Sequence, residues 1–153
     1  MYWIKEENPL WDENKVKIIG SNIGCFVLDG IKESGKLVGE WFYLRDECGQ
    51  IIGYGWIEIK EREAEISLAV DKKYKGNGYG TQIINNLYNE VKNLGIEEII
   101  AVVRVENSNA EDVIRLAYKN GYIAEWPGLG NISLERAGAL VKKSNITLRK
   151  RIF

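Results

Sequence analysis

The sequence predicts an α/β chain of the α+β kind: a twisted, mixed and mostly antiparallel sheet with helices on both faces. Three observations carry that prediction. Three strand patterns follow one another between Leu37 and Val70, joined by short loops. A glycine-rich stretch, Lys75-Gly76-Asn77-Gly78-Tyr79-Gly80-Thr81, then leads into a helix pattern. A very apolar run, Ile99-Ile100-Ala101-Val102-Val103, follows that helix and precedes a second one.

The elements read in order as follows. Asn8-Pro9 caps a short helix, since proline suits the first helical position. Ile18 to Ile31, broken by Gly20, Gly24 and Gly30, reads as mixed helix and loop. Leu37–Arg45, with Trp41, Phe42 and Tyr43, is a strand, and 46–50 is its hairpin loop. Ile51–Lys60 is a second strand, with Ile51, Gly53, Gly55, Ile57 and Ile59 on one face. The bare glycine positions leave either a groove for a backbone or ligand, or room for tight core packing. Glu61-Arg62 turns the chain into a third strand, Ala64–Val70, so the three form an antiparallel meander. Ile83, Ile84, Leu87, Tyr88, Val91 and Leu94 then fall on one helical stripe, with Gly95 at the C′ position. Ile96–Val105 is a central strand buried on both faces. Ser108 and Glu111 form a capping box for a helix whose apolar face is Val113, Ile114, Leu116 and Ala117, ended by Gly121. Tyr122–Glu125 is a short strand, Ser133–Lys143 a helix or a loop, and Ile146–Arg149 a last strand.

Composition narrows the chemistry. A length of 153 residues suits a single domain over 1–153 with a real core. A net charge of −1 gives no global field toward nucleic acid or an anionic membrane. Cys25 and Cys48 have neither metal-ligand spacing nor a disulfide framework, and no apolar run is long enough to span a bilayer, so a reducing cytoplasm is the expected compartment. Histidine is absent, which removes the commonest general base and zinc ligand. Acid–base work falls to carboxylates, tyrosine, cysteine, lysine or water.

The glycine-rich stretch is the most informative segment. Three glycines at a helix mouth let main-chain N–H groups close on a ligand, and the positive end of the helix dipole favours a phosphate. Gly80 is followed by Thr81-Gln82, so this is no Walker A loop. Its G-x-G-x-G spacing is not the G-x-G-x-x-G of a dinucleotide fold, and the antiparallel strands before it argue the same way.

The segment Ala64–Tyr122, about 60 residues, resembles the GCN5-related N-acetyltransferase (GNAT) superfamily. The family motif Arg/Gln-x-x-Gly-x-Gly/Ala stands here as Lys75-Gly76-Asn77-Gly78-Tyr79-Gly80, with lysine in the first place. An asparagine after the next strand is matched by Asn107, and a helix ending in Gly-Phe or Gly-Tyr by Gly121-Tyr122. The resemblance implies the acyl-CoA N-acyltransferase fold and acetyl-CoA as donor, with no metal. It implies a diphosphate held by N–H groups of Lys75, Gly76, Asn77, Gly78, Tyr79, Gly80 and Thr81. It also implies a pantetheine arm paired along Leu68, Ala69 and Val70, with an N–H near Val70 facing the thioester carbonyl. Asn107 joins this donor set.

For the base, the candidates are Glu65, then Glu58 and Glu40 on the preceding strands. Some relatives put a glutamate near the place of Glu65. For the acid, many relatives carry a tyrosine four residues before the helix-ending glycine. That position is Ala117 here, with Tyr118 about 100° further round; either a one-residue shift brings Tyr118 into reach or the acid is lacking. Trp41, Tyr43 and Trp56 lie on the strands that would wall the acceptor side; aromatics on strands are mostly core, and a place in the pocket wall is the alternative. Lys142-Lys143 and Arg149-Lys150-Arg151 are expected as solvated surface, with a contact to the CoA 3′-phosphate as the alternative. The acceptor is expected to be a small-molecule or peptide amine, with neither nucleic acid nor membrane involved, and a homodimer stays open. The alternative is a non-catalytic CoA-binding sensor or interaction module of the same fold.

Overall fold

The structure, a computed structural model, describes residues 1–20 and 35–153. Most of the segment read as mixed helix and loop lies outside the described residues. The elements are β1 (Tyr2–Lys5), α1 (Glu13–Ile18), β2 (Glu40–Arg45), β3 (Ile51–Lys60), β4 (Glu63–Val70), α2 (Tyr79–Asn93), β5 (Glu98–Val103), α3 (Ala110–Lys119), β6 (Ile123–Trp126), β7 (Gly130–Asn131), α4 (Leu134–Leu140) and β8 (Ile146–Arg151). They form one sheet in the order β1-β2-β3-β4-β5-β8-β6-β7. Every neighbouring pair is antiparallel except β4 and β5, which run parallel as the α2 crossover requires.

The meander β2-β3-β4 has the expected order, and its register explains the glycines of β3. Phe42 and Leu44 stand opposite Gly55 and Gly53, which stand opposite Leu68 and Val70. α2 lies on this face and drops Ile83 and Leu87 onto the glycines. A Cβ at Gly55 would come within 3.0 Å of Leu87 and 3.1 Å of Ile83. The bare positions therefore serve tight packing, since helix side chains fill them. Burial of Ile83, Leu87, Ile99, Ile114, Ile146 and Leu148 around them makes the larger core, to which α3 and α4 add Ile114 and Ala137.

The opposite face has its own core. Trp41 and Trp56, cross-strand partners, stack at 4.4 Å with rings 4° from parallel. Ile18 and Ile19 at the end of α1 join them with Tyr54 and Ala69. Trp41 and Trp56 are 1% and 2% exposed, so they are core residues and not an open pocket wall. Helices thus lie on both faces, α1 on one and α2 to α4 on the other.

α1 is anchored by an unusual residue. Lys15 is fully buried. Its Nζ donates to Glu6 Oε1 at 2.9 Å, the Leu10 carbonyl at 2.8 Å and Asp12 Oδ2 at 3.1 Å, and lies over the rings of Tyr54 and Trp41. A buried ammonium is tolerated because every proton has an acceptor. Burial pushes the Tyr54 phenol above its ordinary value.

Several local expectations are corrected. No helix starts at Pro9: its carbonyl accepts from Leu37 N, while Asp12 caps α1 through Lys15 N. β1 pairs with β2 although its short polar-flanked sequence carries little strand signal. β5 is not buried on both faces throughout, since Val102 is 39% exposed. The Ser108 capping box does not form. α3 begins one residue later, with Asn109 at the cap, and Asn107 Oδ1 accepts from Asn109 N at 2.8 Å. Glu111 pairs instead with Lys142 at 3.2 Å. α4 forms with Ser133 as its N-cap.

The basic C-terminal strand is not a merely solvated surface. Lys150 Nζ donates to the Asn120 carbonyl at 2.7 Å and lies 4.2 Å from the Tyr88 ring centre, and burial lowers its pKa. Arg149 bonds Glu63 of β4, Glu98 of β5 and Glu125 of β6, so one guanidinium ties three strands to β8. Hydrogen bonding to Glu63 holds the Arg149 pKa above its ordinary value. The network is partly solvent-screened, so Arg149→Ala is expected to cost about 1 kcal/mol in urea denaturation. The loss should shrink in about 1 M salt; a salt-independent loss would mean packing, not charge, is what Arg149 supplies.

Candidate active site

The passage from β4 to α2 is built in steps. Asp71 ends the strand; its N–H donates to the Ile52 carbonyl at 2.8 Å. A 3-10 turn, Lys72–Tyr74, follows, with Asp71 Oδ1 accepting from Lys73 N at 3.2 Å. Gly76 and Gly78 then take left-handed conformations, with φ of 82° and 81°. Such angles suit glycine because a side chain would meet its own carbonyl. Asn77 sits between them and donates from Nδ2 to the Tyr74 carbonyl at 3.0 Å, which braces the bend.

Gly78 is the N-cap of α2, and no side chain caps that helix. Its first turn carries no acidic residue. A helix of 15 residues therefore points its unpaired N–H donors and positive dipole end outward, with no side-chain acceptor among the described residues.

Beside this helix end the sheet opens. β4 and β5 pair only at Glu63↔Glu98, Ala64↔Ile99 and Glu65↔Ile100. Beyond them the parallel ladder stops, while β4 stays paired with β3 as far as Val70. The β5-side edge of β4 from Ile66 to Val70 thus carries main-chain groups that the ladder does not use.

The cleft that results has a volume of about 430 Å³ and a largely apolar floor. Leu68, Ala69 and Val70 line it from β4, and Lys75, Gly76, Gly78, Tyr79, Gly80 and Thr81 from the bend and helix start. Asn107 lines it from the far side. These residues of the expected donor set are brought together; Asn77 is beside them but turns its side chain into the bend. Tyr74 also lines the cleft, as do four residues of α3 and its cap: Asn109 and Asp112, which the sequence reading does not name, and Val113 and Leu116, which it assigns to the helix's apolar face. The last four follow one helical period, so the signal was the turn spacing of α3 read toward the cleft instead of toward the core. Asp112 is paired with Arg115 at 2.8 Å, which offsets its charge at the cleft.

The two expected catalytic side chains are placed elsewhere. Glu65 stands where β4 and β5 part, directly opposite Glu58, with Lys60 Nζ at 3.8 Å. Tyr118 is not part of the cleft wall. Its hydroxyl donates to the Ile132 carbonyl at 2.8 Å and accepts from Ala124 N at 3.0 Å, which fastens α3 to β6. Ala117, the other position at issue, is buried in the core. Glu40, in β2 opposite Ile57, pairs with Lys5 at 2.6 Å. Among the described residues no helix is long and apolar enough to cross a membrane.

Known proteins give the same architecture. The chain matches, over residues 2–122, the model of the Acetyltransferase (GNAT) family. A phosphinothricin acetyltransferase of Sinorhizobium meliloti, solved with acetyl-CoA, superposes with a TM-score of 0.54 at 16% identity, over 74% of this chain and 60% of that one. The PaiA N-acetyltransferase of Thermoplasma acidophilum, solved with coenzyme A, gives 0.54 at 19% identity, over 72% and 59%. The match thus spans about three fifths of those two proteins. A third structure, provisionally named a phosphinothricin N-acetyltransferase, gives 0.65 at 18% identity over 99% of both chains. No protein of curated function matches the sequence itself. With the family model covering most of the chain, and with the parted strands and glycine-lined helix mouth in place, the protein belongs to the GNAT family of acetyltransferases.

Proposed function

We propose that the protein transfers an acetyl group from acetyl-CoA directly to a primary amine, within a single domain over 1–153. One observation carries this reading most: an uncapped, acid-free helix start stands at one end of a cleft whose side is an unpaired strand edge. A diphosphate and an amide-bearing arm need those two features side by side.

In this reading the N–H groups from Lys75 to Thr81 hold the diphosphate, and the Lys75 ammonium adds charge. Leu68, Ala69 and Val70 pair with the pantetheine amides, and Asn107 meets them from across the cleft. An N–H near Val70 points at the thioester oxygen and stabilises the negative charge that grows there. The amine nitrogen bonds to the carbonyl carbon and the carbon–sulfur bond breaks. Holding the two reactants in line supplies most of the acceleration, which orientation can bring to ~7–11 kcal/mol.

Glu65 takes the first proton from the acceptor ammonium through water, and the second leaves nitrogen to solvent as the carbon–sulfur bond breaks. Tyr118 has its hydroxyl committed to two main-chain partners, so solvent returns the proton to the thiolate and Tyr118 serves by holding α3. Glu65→Gln is expected to lower kcat about tenfold to a hundredfold with little change in KM for acetyl-CoA. An unchanged kcat across the pH range would remove Glu65 from the chemistry.

The engagement of Tyr118 also favours a second reading, a domain that binds the coenzyme without turnover. Thiol release from acetyl-CoA over a panel of primary amines separates the two. Amine-dependent release supports transfer; tight coenzyme binding with no release above buffer supports the binding module.

A further inference from the structure

The restraint on the glycine bend extends outside the cleft, to α1 on the other side of the sheet. Asp71 holds the 3-10 turn that carries Tyr74 to its place in the cleft wall and delivers Lys75. The residue is 7% exposed. One carboxylate oxygen, Oδ1, accepts from Lys73 N, and the Asp71 carbonyl accepts from Tyr74 N at 2.9 Å. The other oxygen, Oδ2, is buried and accepts no hydrogen bond from the described residues. Lys17 Nζ, at 3.5 Å, is the cation that faces it among the described residues. Lys17 lies in the last turn of α1, and its own side chain is 58% exposed.

A carboxylate out of water needs its charge answered. Lys17 supplies that answer from a helix that is independently anchored, by Lys15 on one flank and by Ile18 and Ile19 in the second core. Without the ammonium, the least costly response of Asp71 is to swing Oδ2 toward solvent. The same rotation takes Oδ1 away from Lys73 N and loosens the 3-10 turn. Tyr74, Lys75 and the first N–H groups of the cradle then lose their fixed position.

We propose that Lys17 is a positioning residue for the donor site, acting through Asp71 on the Lys72–Tyr74 turn. The consequence for coenzyme binding rests on the function proposed above; the consequence for the turn does not. Lys17→Met is therefore measured in two ways. Hydrogen exchange without ligand should show faster exchange at Lys73 and Tyr74, with α2 unchanged. Calorimetric titration with coenzyme A should show binding weaker by about threefold to fivefold, the range of a partly exposed ion pair. Kinetically the loss should fall on KM for acetyl-CoA and leave kcat in place.

Lys17→Arg should restore both readouts. In an Asp71→Asn background, Lys17→Met should add nothing, because no charge is left to answer. Unchanged exchange at Lys73 and Tyr74 would overturn the inference whatever the protein binds. So would a Lys17→Met effect that persists in the Asp71→Asn background. Faster exchange in a protein whose wild type ignores coenzyme A would keep the mechanical link and refute the functional reading alone.

Discussion

A Gly78→Val variant is expected to bind coenzyme A at least about a hundredfold more weakly than the wild type while keeping its fold. The reasoning separates conformation from packing. Gly78 has a φ of 81° at the cap of α2, and a Cβ built there meets nothing within 4 Å. Substitution therefore creates no clash, only backbone strain of about 1–3 kcal/mol for a β-branched residue. The chain relieves that strain by turning φ negative, which re-aims the N–H groups of Tyr79 and Gly80. Losing two charge-assisted hydrogen bonds, each worth about 1.5–3 kcal/mol, is enough for the stated factor. Gly78→Asn is the control, since asparagine visits the left-handed region readily. It should keep most of the affinity. Calorimetric titration together with thermal melting checks both; a valine variant that binds as the wild type does would detach the bend from coenzyme recognition.

Gly53→Ala is expected to lower stability by about 3 kcal/mol, and Gly55→Ala by only about 1 kcal/mol. Both glycines face α2, yet the added methyl meets different neighbours. At Gly53 it would lie 2.5 Å from the Ala69 carbonyl oxygen and 3.3 Å from Val70 Cα. Those are main-chain atoms of β4 and cannot yield unless the strand shifts. At Gly55 the close atoms are the two δ-methyls of Leu87 at 3.0 Å and the Ile83 Cγ2 at 3.1 Å, side-chain atoms that can shift more easily than a strand. Ala69 and Val70 also line the cleft, so Gly53→Ala should weaken coenzyme binding as well. Urea denaturation gives the order of the two losses. The reverse order would show that α2, not β4, is the rigid partner of β3.

The parts of the fold that were legible in the sequence are those where one physical rule dominates. β3 begins and ends as expected because a run rich in isoleucine and aromatic residues lies unbroken between two turns. α2 was legible because Ile83, Leu87 and Val91 keep helical spacing and Gly95 takes a φ of 75° just past its end. The cleft's loop side was legible for the same reason, since clustered glycines at a helix mouth have few other uses.

What stayed hidden depends on partners distant in sequence. β1 is only four residues long, and its place is set by Phe42, whose ring stacks on Trp3 at 5.1 Å. Lys15 reads as a surface charge until Glu6, Asp12 and the Trp41 and Tyr54 rings close around it. Ser108 has the right spacing for a cap, but Asn107 reaches the next N–H first and moves the helix start. Tyr118 stands near the chemistry in sequence, but its hydroxyl is taken by Ala124 of β6 and by Ile132 just after β7. Arg149 and Lys150 look solvated because their acceptors lie on three other strands and just past the end of α3.

The central claim is that main-chain N–H groups between β4 and α2 grip a diphosphate and lay a thioester along the free edge of β4. A crystal structure with coenzyme A at saturating concentration tests it most directly. The account predicts both phosphates within hydrogen-bonding distance of N–H groups in Gly76–Thr81, and the pantetheine amides paired with Leu68–Val70. Coenzyme bound elsewhere, or a glycine bend left empty at saturation, would contradict it.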